Sequence, residues 1–162
     1  MKTMLTKRCF LALIFFTGLA TVSAAEPAPA PKSFRAAIGG FFGPSYRVEF
    51  KDGVLSYTAA GRGQQNPKAE TVKPTEAQWR EFRKALDDLK VWQWKDSYFN
   101  HGVADGTQWT LEVAYEGTEI KATGSNSYPG PDGKANGSPE QTKTFTAYLK
   151  AVEKLLGGKA FQ

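Results

Sequence analysis

Cysteine is almost absent from this chain. Its one copy, Cys9, opens an apolar run from Cys9 to Ala20, and no thiol follows. Histidine is equally scarce, with His101 alone. No Gly-x-Ser-x-Gly elbow occurs, and no Ser-x-x-Lys pair, so the common local signatures of a serine nucleophile are missing. No stretch after the first run is long and apolar enough to suggest a membrane span. What little excess charge there is, 21 Lys and Arg against 16 Asp and Glu, sits largely at the start of the chain.

That start reads as a secretory signal peptide, residues 1–25. Lys2, Lys7 and Arg8 form the positive region, the apolar run follows, and Ala24 or Ala25 ends a small-residue cleavage site. Cleavage there removes three basic residues and leaves 18 basic against 16 acidic, a net charge of +2. The pI of 9.3 is then mostly a property of the signal, and offers no case for nucleic acid as partner. Cleavage also removes the only thiol, which excludes disulfides, cysteine catalysis and thiolate metal sites. The expected address is secreted or periplasmic, with packing alone holding the fold. About 137 residues remain, enough for one core without covalent staples.

Residues 26–33, rich in proline and alanine, read as an extended linker. Residues 34–162 read as a single globular α+β domain. Phe34 to Phe42 suggests a strand with a weak, glycine-bearing middle. Tyr46, Val48 and Phe50 alternate with charged residues, Asp52-Gly53 turns, and Leu55, Tyr57 and Ala59 return. Thr71-Val72-Lys73 suggests a short extended piece. Thr75 then caps a helix whose apolar stripe is Trp79, Phe82, Leu86 and Leu89. Val91 to Trp94 has strand-like alternation.

A second hairpin follows, from Trp109 to Thr123 around Glu116-Gly117. A Gly/Pro-rich loop covers 124–138, long enough to be either functional or mobile. A last helix, from about Pro139 to Leu156, carries Phe145, Tyr148, Leu149 and Val152 on one face, and Gly157-Gly158 stops it. The two halves share a plan. Gly53 and Gly117 lie 64 residues apart, and Trp79 and Phe145 lie 66 apart. The expected fold is two β-hairpins forming an antiparallel sheet with two helices packed on one face, a possible ββα–ββα repeat. The other face, with Arg47, Glu49, Lys51, Thr110, Glu112, Glu119 and Lys121, is expected to stay wet.

Gly43-Pro44-Ser45-Tyr46, Asp52-Gly53 with Tyr57, a helix ending before Asp96-Ser97-Tyr98, and Asp105-Gly106 entering a strand resemble a domain of unknown function found in exported bacterial proteins. The resemblance covers about Phe34 to Leu156 and lies in the plan. The cysteines that the family places near its first strand pair are absent. The resemblance implies a fold and no activity.

The densest candidate stretch runs from Val91 to Trp109, with three of the four tryptophans and the lone histidine. Ser125, His101 and Asp96 or Asp105 can be drawn as a triad, but no spacing supports it. His101 with Asp96, Asn100 and Asp105 matches no metal-ligand spacing. The run from Asp132 to Asn136 echoes a calcium loop, yet Lys134 and Lys143 stand where acceptors belong. Gly61-x-Gly63 is a lone glycine pair without a phosphate loop's lysine. The expectation is therefore no catalytic residue, no metal and no cofactor.

Aromatics beside amides and carboxylates suit sugar rings or peptide side chains. Trp92 and Trp109 read as core. The candidate ligand-binding residues are Trp94, Asp96, Tyr98, Asn100, His101, Asp105, Asn126 and Tyr128, drawn from loops 96–106 and 124–138. The expected function is a non-enzymatic domain that binds a small ligand or an envelope protein. An inhibitor of an envelope hydrolase is the alternative, and a hydrolase using His101 a further one.

Overall fold

The computed structural model describes residues 30–41, 43–103 and 105–162. The expected signal peptide and residues 26–29 of the expected linker lie outside the described residues. Pairing begins ahead of the expected linker boundary: the Lys32 amide donates to the Ala114 carbonyl at 2.7 Å, and Ser33 opens the first strand.

The fold is α+β, with a seven-stranded sheet and two helices. The strands are β1 (Ser33–Gly40), β2 (Ser45–Lys51), β3 (Val54–Ala60), β4 (Glu70–Val72), β5 (Ser97–Phe99), β6 (Thr107–Tyr115) and β7 (Thr118–Ser125). Their spatial order is β4-β3-β2-β1-β6-β7-β5. Both expected hairpins are present, β2–β3 around Asp52-Gly53 and β6–β7 around Glu116-Gly117. The piece joining them is β1. It pairs antiparallel with β2 on one side and along its full length with β6 on the other. Only β5 runs parallel to its neighbour, β7, so the sheet is mixed.

Helix α1 (Glu76–Asp88) starts at Thr75, whose hydroxyl accepts from the Gln78 amide while the Gln78 side chain accepts from the Thr75 amide. Helix α2 (Lys143–Leu155) starts at Thr142, about four residues later than the periodicity suggests. Residues 137–141 stay irregular, consistent with Pro139 biasing the residue before it away from the helical region. The alternating stretch at Val91–Gln93 forms a single 3-10 turn instead of a strand, entered through Lys90 in the left-handed region (φ 52°). From this turn Trp92 packs edge-on against Tyr115 and Trp94 against Trp109.

Both helices cover one face. Phe34 and Phe50 meet Phe82 and Trp79 of α1, with ring centroids 5.0 and 5.2 Å apart. Trp109 meets Phe145 of α2 at 4.8 Å. The inward positions of the interior strands, among them Ala36, Val48, Leu55, Leu111 and Val113, are almost fully buried. The chain's end joins this layer: Phe161 is buried, and the Tyr57 hydroxyl donates to the Ala160 carbonyl at 2.7 Å. The opposite face is uncovered by any described element.

Candidate ligand-binding groove

The predicted site residues divide into two groups. Trp94, Tyr98, Asn126 and Tyr128 are buried, each 5% exposed or less. Their place is structural, since a side chain shut away from solvent cannot touch a ligand in this state. Trp109 lies at the centre of this cluster, with Tyr98 at 5.6 Å and Trp94 at 6.3 Å between ring centroids. Its indole Nε1 donates to the Ser127 carbonyl at 2.9 Å. Position 124 has to be glycine for this, because a Cβ there would stand 2.2 Å from that nitrogen. Tyr98 donates to the Gly133 carbonyl at 2.6 Å and accepts from the Lys95 amide. Burial pushes its hydroxyl pKa up, and the Lys95 amide partly offsets that. Burial likewise raises the Tyr128 hydroxyl.

Asn126 is the hinge between this cluster and the outside. It sits in the left-handed region (φ 48°), which asparagine tolerates better than most residues. Its side-chain oxygen accepts from the Thr107 amide and its own amide donates to the Thr107 carbonyl, both at 2.9 Å. It thereby ties the end of β7 to the start of β6 and holds Asp105 and Gly106 in place. The Gly/Pro-rich loop is largely folded onto the core: Ser127 to Gly130 are buried, and Pro129 bridges to Ala135.

The second group is more open. Asp96, His101 and Asp105 are exposed and Asn100 is half-buried. Asn100 accepts from the Gly102 amide at 3.0 Å, closing its own turn. His101 stacks on Phe99, with centroids 6.4 Å apart and planes within 21°. Among the described residues, no hydrogen bond joins Ser125 to His101 or His101 to an aspartate. No group of three or more His, Cys, Asp or Glu among them is placed to hold a metal.

A large concavity lies elsewhere, on the bare face of the sheet. It has a volume of about 940 Å³, at the upper end of the usual range for small-molecule sites. Its floor follows from strand register. Thr58 pairs with Arg47, Arg47 with Ala37, and Ala37 with Thr110, so these four form one row across both hairpins. The next row holds Ala60, Ser45, Gly39, Gln108 and Ser125. Gly39 leaves space for the Ser45 hydroxyl, which a Cβ would approach to 2.2 Å. Three loops at the same end of the sheet raise the rim, carrying Phe41, Asn66 with Pro67, and Asp105.

Of the predicted site residues, Asp105 alone lines this groove; Ser125, drawn as the triad nucleophile, lines it too. Arg47 and Thr110 appear in the sequence only as members of a wet face. Their outward parity was legible, but the hollow above them was not, because it arises from β1 inserting between the hairpins.

The electrostatics vary along the face. One row below the groove, Arg35 donates to Glu49 at 2.9 Å and holds that carboxyl below its ordinary range. Glu112 and Lys121 flank this row. Arg47, inside the groove, is exposed and has no hydrogen bond or ion pair among the described residues. The groove therefore offers one uncommitted cation, one carboxylate at the rim, and neutral donors and acceptors between them.

No protein-family model matches the chain, and no curated protein matches it.

Proposed function

We propose that this protein is an exported, non-enzymatic binding domain that holds a small polar ligand in the groove on the bare face of its sheet. The carrying observation is the groove itself: about 940 Å³, with hydrogen-bonding side chains of both hairpins in its lining, around Arg47, which has no hydrogen bond or ion pair among the described residues. A sheet face that served only as a solvated surface has no need of a rim built from three separate loops. The groove lies where the two ββα halves meet across β1, as expected of an internal repeat joined by one added strand. Asp105 keeps its place as a candidate contact. Asp96, Asn100 and His101 lie on the adjoining exposed segment and mark the outer limit of the site.

The test is a ligand panel of glycan fragments, short peptides and divalent ions, followed by amide NMR shifts and by thermal unfolding. A true ligand should shift the amides of Arg47, Ala37 and Thr110. At a hundredfold excess over its dissociation constant it should add about 2.7 kcal/mol of stability. Ala37→Trp, which fills the floor, should weaken that binding at least tenfold while leaving the fold intact. Equal binding by Ala37→Trp, or a panel in which nothing reaches these amides, would sink the proposal.

A further inference from the structure

The chemistry of the groove narrows the ligand class. Six neutral residues line it with side chains that both donate and accept: Ser45, Thr58, Asn66, Gln108, Thr110 and Ser125. A sugar hydroxyl has the same dual character and can bond to each without a mismatched pair. A peptide is a poorer fit. The inner floor strands β1, β2 and β6 are hydrogen-bonded on both sides, so they cannot accept an added strand; only β3, at the margin of the floor, has an edge that β4 leaves unpaired beyond Tyr57. A peptide lying over the floor would have to satisfy its backbone amides through side chains.

Two further features add direction. Phe41 stands at the rim with its side chain 69% exposed, a flat apolar surface of the kind that packs against a sugar ring. The Arg62 guanidinium lies 5.9 Å from that ring and adds positive charge at the rim. Arg47 points its charge into the groove, with uncharged Ala37 and Thr58 as its cross-strand neighbours. Arg35 differs, being matched by Glu49. A guanidinium with no hydrogen bond or ion pair among the described residues, in a groove lined by hydroxyls, favours a carboxylate, which it can bind through two parallel hydrogen bonds.

We infer that the ligand is an acidic saccharide, with its carboxylate on Arg47, its hydroxyls on the neutral lining and one ring face against Phe41. This inference rests on the groove reading above. It adds that a single negative charge on the sugar decides affinity.

The experiment compares three probes on the wild-type protein by calorimetry: the methyl glycoside of galacturonic acid, which carries one carboxylate, its neutral methyl ester, and the peptide N-acetyl-Ala-Glu-Ala-amide. The acid should bind about tenfold or more tightly than the ester, as expected for one charge-assisted hydrogen-bonded contact. Arg47→Gln should weaken the acid far more than the ester and so erase that difference, and Phe41→Ala should weaken both sugars alike. Equal affinity for acid and ester, no effect of Arg47→Gln, tighter binding of the peptide, or no binding of any probe would each overturn the inference. The groove reading fails separately, and only if Ala37→Trp leaves panel binding intact or the panel never reaches the groove amides.

Discussion

The two faces of the sheet share one backbone and carry opposite chemistry. On the covered face, successive inward positions of β6 are Trp109, Leu111, Val113 and Tyr115, all buried. On the bare face, the residues between them are Gln108, Thr110, Glu112 and Ala114. The aromatic residues that dominate the sequence belong to the first face and build the core. The candidate site belongs to the second, among small and polar residues that look ordinary one at a time. In this molecule, aromatic density marks where the fold is held, and strand parity with register marks where a ligand can sit.

The largest expected contrast follows from neighbouring residues on the two faces. Trp109 contacts Phe145, Tyr98 and Trp94 and bonds to Ser127. Trp109→Ala should cost about 3–5 kcal/mol in urea unfolding, from lost burial and the cavity left behind. Thr110→Ala, one residue on and facing the groove, should cost under about 1 kcal/mol, because Thr110 is only half-buried. Similar losses for the two would break the division of labour between the faces.

A smaller effect should appear at alkaline pH. The tyrosines at inward sheet positions all lie on the covered face. Tyr115 sits there with its hydroxyl unpartnered among the described residues. Burial raises its pKa to about 12, against the opposing pull of the Arg83 guanidinium, which lies 4.6 Å from the ring. In the unfolded chain a tyrosine titrates near 10. Between pH ~10 and ~12 the folded state keeps a proton that the unfolded state has lost, so stability falls as pH rises through that window. The full loss from this residue is on the order of 3 kcal/mol. Burial raises Tyr148 as well, and it adds to the fall. Tyr115→Phe should flatten the curve in part. Near neutral pH it should leave stability equal or higher, since it removes a buried hydroxyl with no partner. An unchanged alkaline slope in Tyr115→Phe would show that the covered face is wetter than its packing implies.

Much of the fold was legible because local chemistry and burial agree. Alternation marked both hairpins, Asp52-Gly53 and Glu116-Gly117 marked their turns, and apolar stripes marked both helices. Two strands carry weaker signals. β1 is central, yet Gly39 and Gly40 blur its pattern, and nothing local says that it pairs with β6 some 75 residues away. β5 has three residues and exists through its partner β7. The site was less legible. Tyr128 and Asn126 looked like loop contacts, but long-range bonds to α2 and to Thr107 draw that loop inward. Arg47 was placed on the wet face, and only the pairing of neighbouring strands shows that its cross-strand partners, Ala37 and Thr58, are uncharged.

The smallest expected effect concerns His101, and it separates a binding domain from a hydrolase. His101 is exposed, stacks on the exposed Phe99, and is not among the residues that line the groove. His101→Ala should change stability by no more than about 0.5 kcal/mol, as for other surface substitutions. It should also leave groove binding unchanged, because neither the floor row nor Arg47 depends on it. The informative readout is hydrolysis of the same panel. If the wild type cleaves any member and His101→Ala abolishes that cleavage, then the exposed segment is the working part and the groove only its approach. If neither protein cleaves and both bind, the imidazole is a bystander, and the bare face carries the function through Arg47 and the neutral side chains around it.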